Sequence, residues 1–153
     1  MKKTLLSLAA VTVLGFAFAS EALPQRGVIL EVGSGWGPGA PYARMYNPQT
    51  VETVTGEVFS VDRITPMKGM SYGVRIVLKT NKETITVHLG PGWYIENQDV
   101  VRIAPKDKIE VKGSRITFEG NPVLIAAEVK KGAEVLTLRD ANGFPVWSRW
   151  RRR

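Results

Sequence analysis

Four side chains in this sequence are of the types that bind a soft metal ion. His88 is the only histidine, so imidazole ligation or acid–base chemistry near neutral pH has to use it. Met67 and Met70 stand close together in a PMKGM stretch, and thioethers favour Cu(I). Trp93 follows shortly after His88, and an indole face attracts cations. These residues predict one candidate function, a Cu(I) site at Met67, Met70, His88 and Trp93. The alternative is a surface histidine with methionines that pack in a loop.

A second set of side chains could bind a polyanion. The formal net charge is +7, but much of it lies in two lysines near the N-terminus and four arginines in the last five residues. The candidate residues are basic ones on outward strand faces and the C-terminal aromatic and basic ones, namely Arg75, Lys79, Lys108, Lys112, Trp147, Arg149, Trp150, Arg151 and Arg152. Guanidinium groups bind phosphates and indoles stack on bases, so this set predicts nucleic-acid binding. The same tail could dock on an anionic membrane surface, or it could be a disordered, solubilising end.

The N-terminus has the three parts of a secretory signal. Lys2 and Lys3 form a positive region, an apolar run follows, and Ala17-Phe18-Ala19 is a cleavage site. The apolar run is shorter than a membrane-spanning helix requires. We therefore predict an exported and periplasmic protein, with residues 1–19 as the signal peptide and no transmembrane segment after cleavage.

The mature chain is long enough for one domain, and it contains no cysteine. This excludes disulfides, thiolate metal sites and cysteine nucleophiles. Residues 20–50 are rich in glycine and proline and show no regular period, which predicts a loosely ordered leader. Residues 51–148 are predicted to be the folded domain, and residues 149–153 a basic tail.

The folded domain alternates short β-rich runs with turn residues. The expected strands are Thr53–Ile64, Tyr72–Thr80, Glu83–Leu89, one from near Lys108, and Val123–Val129, with one short helix between Gly90 and Lys106. Changes of apolar parity predict bulges near Gly56 and Gly113. In the third strand His88 is expected on the polar face. Asn142-Gly143 predicts a further hairpin of Val135–Arg139 with Phe144–Trp147.

Three strands, an irregular interval and two more strands are the order of an oligonucleotide/oligosaccharide-binding (OB) barrel. We therefore expect an all-β fold, a five-stranded OB-type Greek-key barrel with an extra C-terminal hairpin. The stretches VETVTGEV, VHLGPGWY, KIEVKGSRIT, VLIAAEV and LTLRDANGFPVW resemble a group of small exported bacterial OB-type proteins that are often labelled only DNA-binding. The resemblance implies a fold and a binding role, with no site residues to transfer.

No catalytic motif is present, and the carboxylates are scattered along the chain. The sequence therefore predicts an exported, non-catalytic binding module, without a cofactor and with nucleic acid or another polyanion as its ligand. Periplasmic copper binding is one alternative. A protein-interaction or envelope-stress module is the other.

Overall fold

Six β-strands form one sheet in the described part of the chain. The computed structural model describes residues 34–149, and the predicted signal peptide and the tail residues 150–153 lie outside them. The strands are β1 (Val51–Ile64), β2 (Gly73–Lys79), β3 (Thr84–Pro91), β4 (Lys108–Phe118), β5 (Asn121–Lys131) and β6 (Glu134–Thr137). One short helix, α1 (Gly92–Ile95), follows β3, and short 3-10 helices cover Ala43–Met45, Pro48–Thr50 and Val146–Arg149. The predicted all-β class is confirmed.

The strands lie in the order β3-β2-β1-β4-β5-β6, and neighbours in this order are antiparallel. β3 also pairs with β5 in parallel, with Thr86 opposite Val123 and His88 opposite Ile125. β1 changes partner along its length. Its first half, Val51–Glu57, pairs with β4, and its second half, from Glu57 onward, pairs with β2.

The alternating sequence of the second strand predicts Tyr72, Val74, Ile76 and Leu78 inward, and the nearly continuous apolar run of the fifth predicts burial of both its faces. Both patterns are found, except that Tyr72 is 37% exposed. Val74, Ile76 and Leu78 of β2 are buried in the core. Residues 123–127 of β5 are also buried, because this strand pairs with β3, β4 and β6 and is covered on both faces. The short helix predicted between Gly90 and Lys106 is α1.

The ladders of the described strands contain three bulges, one of them in the β2–β3 pair between Val74 and Arg75, and the other two bear on the predicted positions. The one predicted near Gly113 is found between Lys112 and Gly113, where a Cβ on the glycine would lie 2.3 Å from the Ile125 carbonyl oxygen. The other lies between Val58 and Ser60, not at Gly56. The extra residue there is Phe59, whose side chain is 60% exposed.

The part of the predicted leader that the structure describes is not loosely ordered. Trp36, Tyr42 and Tyr46 are buried in the core, and the Trp36 and Tyr42 rings meet edge to face at 4.9 Å. The Trp36 indole also donates a hydrogen bond to the Ser71 carbonyl oxygen at 2.9 Å. The composition of the segment indicated a linker, but burial of three large rings stabilises it against the sheet.

The C-terminal hairpin forms only in part. Its turn is present, because the Asp140 carboxylate accepts hydrogen bonds from the Asn142 and Phe144 N–H groups and Gly143 takes a φ of +86°. The expected second strand, however, is reduced to a single bridge between Arg139 and Pro145, and Val146–Arg149 is a 3-10 helix. Proline has no N–H to extend a ladder.

Candidate functional site

His88 does not lie on the polar face of the strand, where the alternation of side chains along β3 predicts it. Its side chain is 1% exposed, its Nδ1 shares a hydrogen bond with the Tyr42 hydroxyl at 3.0 Å, and the Phe118 ring lies against it. Burial, and after it the positive charges of Arg139 and Arg75, lowers the pKa of His88 to about 4. The imidazole is therefore neutral and enclosed at physiological pH.

The other predicted copper ligands are partly buried residues that pack against the core. Met70 lies beside Gly35, and Trp93 stacks edge to face with Tyr94 at 6.3 Å. Among the described residues, His88 has ring contacts with Tyr42 and Phe118 and a hydrogen bond with Tyr42. Within residues 34–149 no group of three or more His, Cys, Asp or Glu side chains could hold a metal ion. Copper binding thus gains no support from these contacts.

The basic strand residues do not form a continuous positive face. Arg75 lies opposite Asp62, with Nε 3.9 Å from the carboxylate. Lys79 and Lys108 are both register partners of Glu57, and Lys112 is the register partner of Glu128. Acidic residues therefore alternate with these cations across the strands, although of the four only Arg75 forms an ion pair with a described residue, and this breaks up the positive charge that phosphate binding uses.

The C-terminal candidates are divided between the core and the surface. Trp147 is buried, and its Nε1 donates to the Trp36 carbonyl oxygen at 2.9 Å, so this indole is not available for base stacking. Arg149 is exposed and lies over the Phe144 ring at 5.0 Å. Trp150, Arg151 and Arg152 lie outside the described residues, and membrane docking by the tail stays a prediction.

A buried arginine that the sequence reasoning missed ties strands together. Arg139 is 6% exposed, and its Nη1 donates to the carbonyl oxygens of Leu89 in β3 and Ala126 in β5. The guanidinium also lies over the Trp147 ring at 4.8 Å. Hydrogen bonds and the ring face compensate a charge that would otherwise be costly to bury. Its role here is structural.

A cleft of about 280 Å³ among the described residues lies beside the second half of β1. One wall is the β1 stretch Val61–Arg63, and the opposite wall comes from the segment 98–103. The floor is apolar and contains Val74, Leu89, Ile95 and Val101. This combination of apolar floor and polar rim is typical of a binding site.

Polar contacts fix both walls of the cleft. Glu96 accepts a hydrogen bond from the Tyr72 hydroxyl at 2.6 Å and forms an ion pair with Arg63 at 3.4 Å. Arg63 also lies over the Tyr72 ring at 4.4 Å. On the other wall, the Gln98 amide bonds both the N–H and the carbonyl oxygen of Val101. The Arg63–Glu96 ion pair thus connects β1 to the end of α1, and the Gln98 hydrogen bonds stabilise the turn on the other wall.

Exposed apolar side chains are found at this cleft. Val61 lines it at 37% exposure, and Val100, at 49%, lies in the opposite wall segment. Tyr72 is hydrogen-bonded to a lining residue, and Phe59 is two residues from Val61 on the same strand. Of the five exposed large apolar residues in the described chain, Val61 thus lines the cleft and Tyr72 is bonded to a lining residue, whereas the Phe59 ring lies against Lys79 Nζ at 4.7 Å. Sequence reasoning missed the cleft, because only the change of partner in β1 creates it.

Comparison with known proteins assigns a family. The model of the MamS/MamX magnetosome protein family matches residues 50–136, more than half of the chain. A search of curated proteins finds no match. The matched stretch runs from the residue before β1 into β6 and includes both walls of the cleft.

This match overturns the functional prediction. The resemblance to small exported OB-type DNA-binding proteins is wrong, and the predicted nucleic-acid or polyanion binding falls with it. A magnetosome family agrees with the broader prediction of an exported or membrane-associated protein. Among residues 34–149, no helix has the length and hydropathy to cross a membrane. The chain belongs to the MamS/MamX magnetosome protein family.

Proposed function

We propose that this chain is an exported component of the magnetosome that acts by binding at the β1 cleft and not by catalysis. The observation that carries the proposal is the family match, which spans the strands and both cleft walls. The apolar residues that line the cleft, together with the exposed Val61, support a binding role for it.

The state of the titratable groups supports a non-catalytic role. The single histidine is buried, with a pKa of about 4, so it is poorly placed to exchange protons at neutral pH. Hydrogen bonds from Arg115 lower the pKa of Glu52 and of Glu83, and a hydrogen bond from Lys131 lowers that of Asp107. Carboxyls of this kind stay ionised and paired and are not poised as acids or bases.

Export through the signal at residues 1–19, to the periplasmic side of the inner membrane, is part of the proposal. We further propose that β1, β2, β3, β5 and β4 form a partly open barrel, which the parallel pairing of β3 with β5 supports. A barrel of this kind would hold the two cleft walls at a fixed separation.

The test is localisation in a bacterium that forms magnetosomes. A fluorescent protein that folds after export is fused to the C-terminus of the full chain and, as a matched control, to residues 20–153 without the signal. We expect the full-length fusion to co-purify with isolated magnetosomes and the control to stay in the cytosolic fraction. A full-length fusion that spreads through the cytosol, or is absent from washed magnetosomes, contradicts the proposal.

A further inference from the structure

Within residues 34–149, one edge of the second half of β1 is free. β2 pairs with one side of residues 60–64, whereas β4 pairs with the other side of β1 only as far as Glu57. At Val58 that side exchanges backbone hydrogen bonds with Lys106 and Asp107, at 2.7 and 2.8 Å. Beyond Val58, no backbone hydrogen bond joins this side of β1 to another described residue.

A free strand edge presents a row of N–H and C=O groups with the spacing of a β-ladder. Here the row forms one wall of the cleft, next to the apolar floor. An added strand would take up the unpaired backbone groups and direct every second side chain toward Leu89, Ile95 and Val101. The chemistry that suits this site best is therefore an extended polypeptide backbone.

We propose that the cleft binds an extended peptide segment, with apolar side chains at alternate positions, as an added strand on residues 60–64 of β1. This rests on the proposed binding role of the cleft. The exposed Val61 side chain, which lines the cleft, would contact one side of such a segment. Binding of this type takes its affinity from main-chain hydrogen bonds and its specificity from side-chain pockets.

A second copy of this chain fits less well. In each copy the free edge is one wall of a cleft whose other wall is the segment 98–103, so two edges cannot meet without displacing both walls. A two-fold axis at Asp62 or at Arg63 would also set like charges opposite each other across the new ladder. A single extended segment meets neither obstacle.

The test uses the mature protein, residues 20–153. It is screened against a displayed library of random 12-residue peptides, and the enriched peptides are synthesised and measured by fluorescence anisotropy. Val61→Lys should weaken binding at least tenfold. Val135→Lys is the matched control, because Val135 is similarly exposed, at 40% against 37%, and lies on the opposite edge strand β6. Melting curves followed by circular dichroism check the fold, and Val100→Lys on the other wall replaces Val61→Lys should that variant not fold.

Backbone pairing has its own signature. N-methylation of one alternating set of peptide amides should abolish binding, while the other set tolerates it, because only one edge of the added strand faces β1. The proposal is overturned if no peptide is enriched, if binding is indifferent to both the cleft variants and N-methylation, or if Val135→Lys is the variant that loses it. A dimer by light scattering that becomes monomeric in Val61→Lys would assign the edge to a second copy instead. If the mature protein binds peptide but the full-length fusion is absent from magnetosomes, the proposed localisation is rejected and the peptide-binding inference stands.

Discussion

The single histidine makes the stability of this protein depend on pH in a way that one substitution can isolate. Burial and two nearby arginines lower the pKa of His88 to about 4, against about 6.5 in an unfolded chain. Above pH 6.5 the imidazole is neutral in both states and adds no pH dependence. Below it the unfolded chain takes up the proton first, so the free energy of unfolding falls with pH until the folded protein is also protonated, near pH 4.

The size of the effect follows from the two pKa values. Their difference corresponds to about 3 kcal/mol over the whole range, of which roughly 2 kcal/mol is lost between pH 7 and pH 5. Carboxyl groups in the unfolded chain titrate mainly below pH 5. Since the chain has no other histidine, the slope between pH 7 and pH 5 belongs largely to His88.

The assay is urea unfolding followed by tryptophan fluorescence, at pH 7 and pH 5, on the untagged mature protein and on His88→Gln. We expect the unsubstituted protein to lose roughly 2 kcal/mol more than the variant between the two pH values. Equal losses would refute the reasoning. So would an imidazole proton resonance that titrates between pH 6 and 7 in the folded protein, because that places His88 in contact with solvent.

Three further substitutions test the packing. Trp147→Ala should lower the free energy of unfolding by about 3–5 kcal/mol, because it removes a buried ring that is bonded to Trp36, and a urea midpoint close to that of the unsubstituted protein would contradict this. Arg115→Met removes the ion pairs to Glu52 and Glu83 and should cost about 1 kcal/mol at low salt. The cost of Arg115→Met should shrink in 1 M NaCl, and it should also shrink as pH falls through the lowered pKa values of Glu52 and Glu83. A cost that depends on neither salt nor pH would argue against an electrostatic origin. Gly143→Ala should cost at least about 1–2 kcal/mol, because φ is +86° and the new Cβ would lie 2.4 Å from the Tyr46 ring, and an unchanged melting temperature would rule out this strain.

The local pattern of apolar residues was sufficient to predict a strand that has one buried face or is covered on both faces. Alternation of apolar and polar residues predicted the buried face of β2, and a continuous apolar run predicted β5. A change in which alternate residues are apolar predicted the bulge near Gly113. These features depend on neighbours in sequence, and the hydrophobic period reports them directly.

Features set by distant contacts were not visible in the sequence. His88 has the position of an outward residue, but β3 pairs with β5 as well as with β2, and Tyr42, 46 residues earlier, covers the imidazole. The glycine and proline content of the leader indicated a linker, although the segment also contains the aromatic residues that pack it against the sheet. Trp36 and Tyr42 were the signal that could have been used, because linkers are poor in large rings.

The binding edge arises from the way β1 divides its partners. A strand paired on both sides along its whole length would leave no edge, but β1 passes from β4 to β2 near Glu57, and the bulge at Phe59 follows at once. Bulges increase local twist and redirect a strand, and they are common beside functional sites. Arg139, bonded to carbonyl oxygens of β3 and β5, holds the opposite part of the sheet. Residues 60–64, paired on one side with β2, are the part of β1 left able to accept another strand.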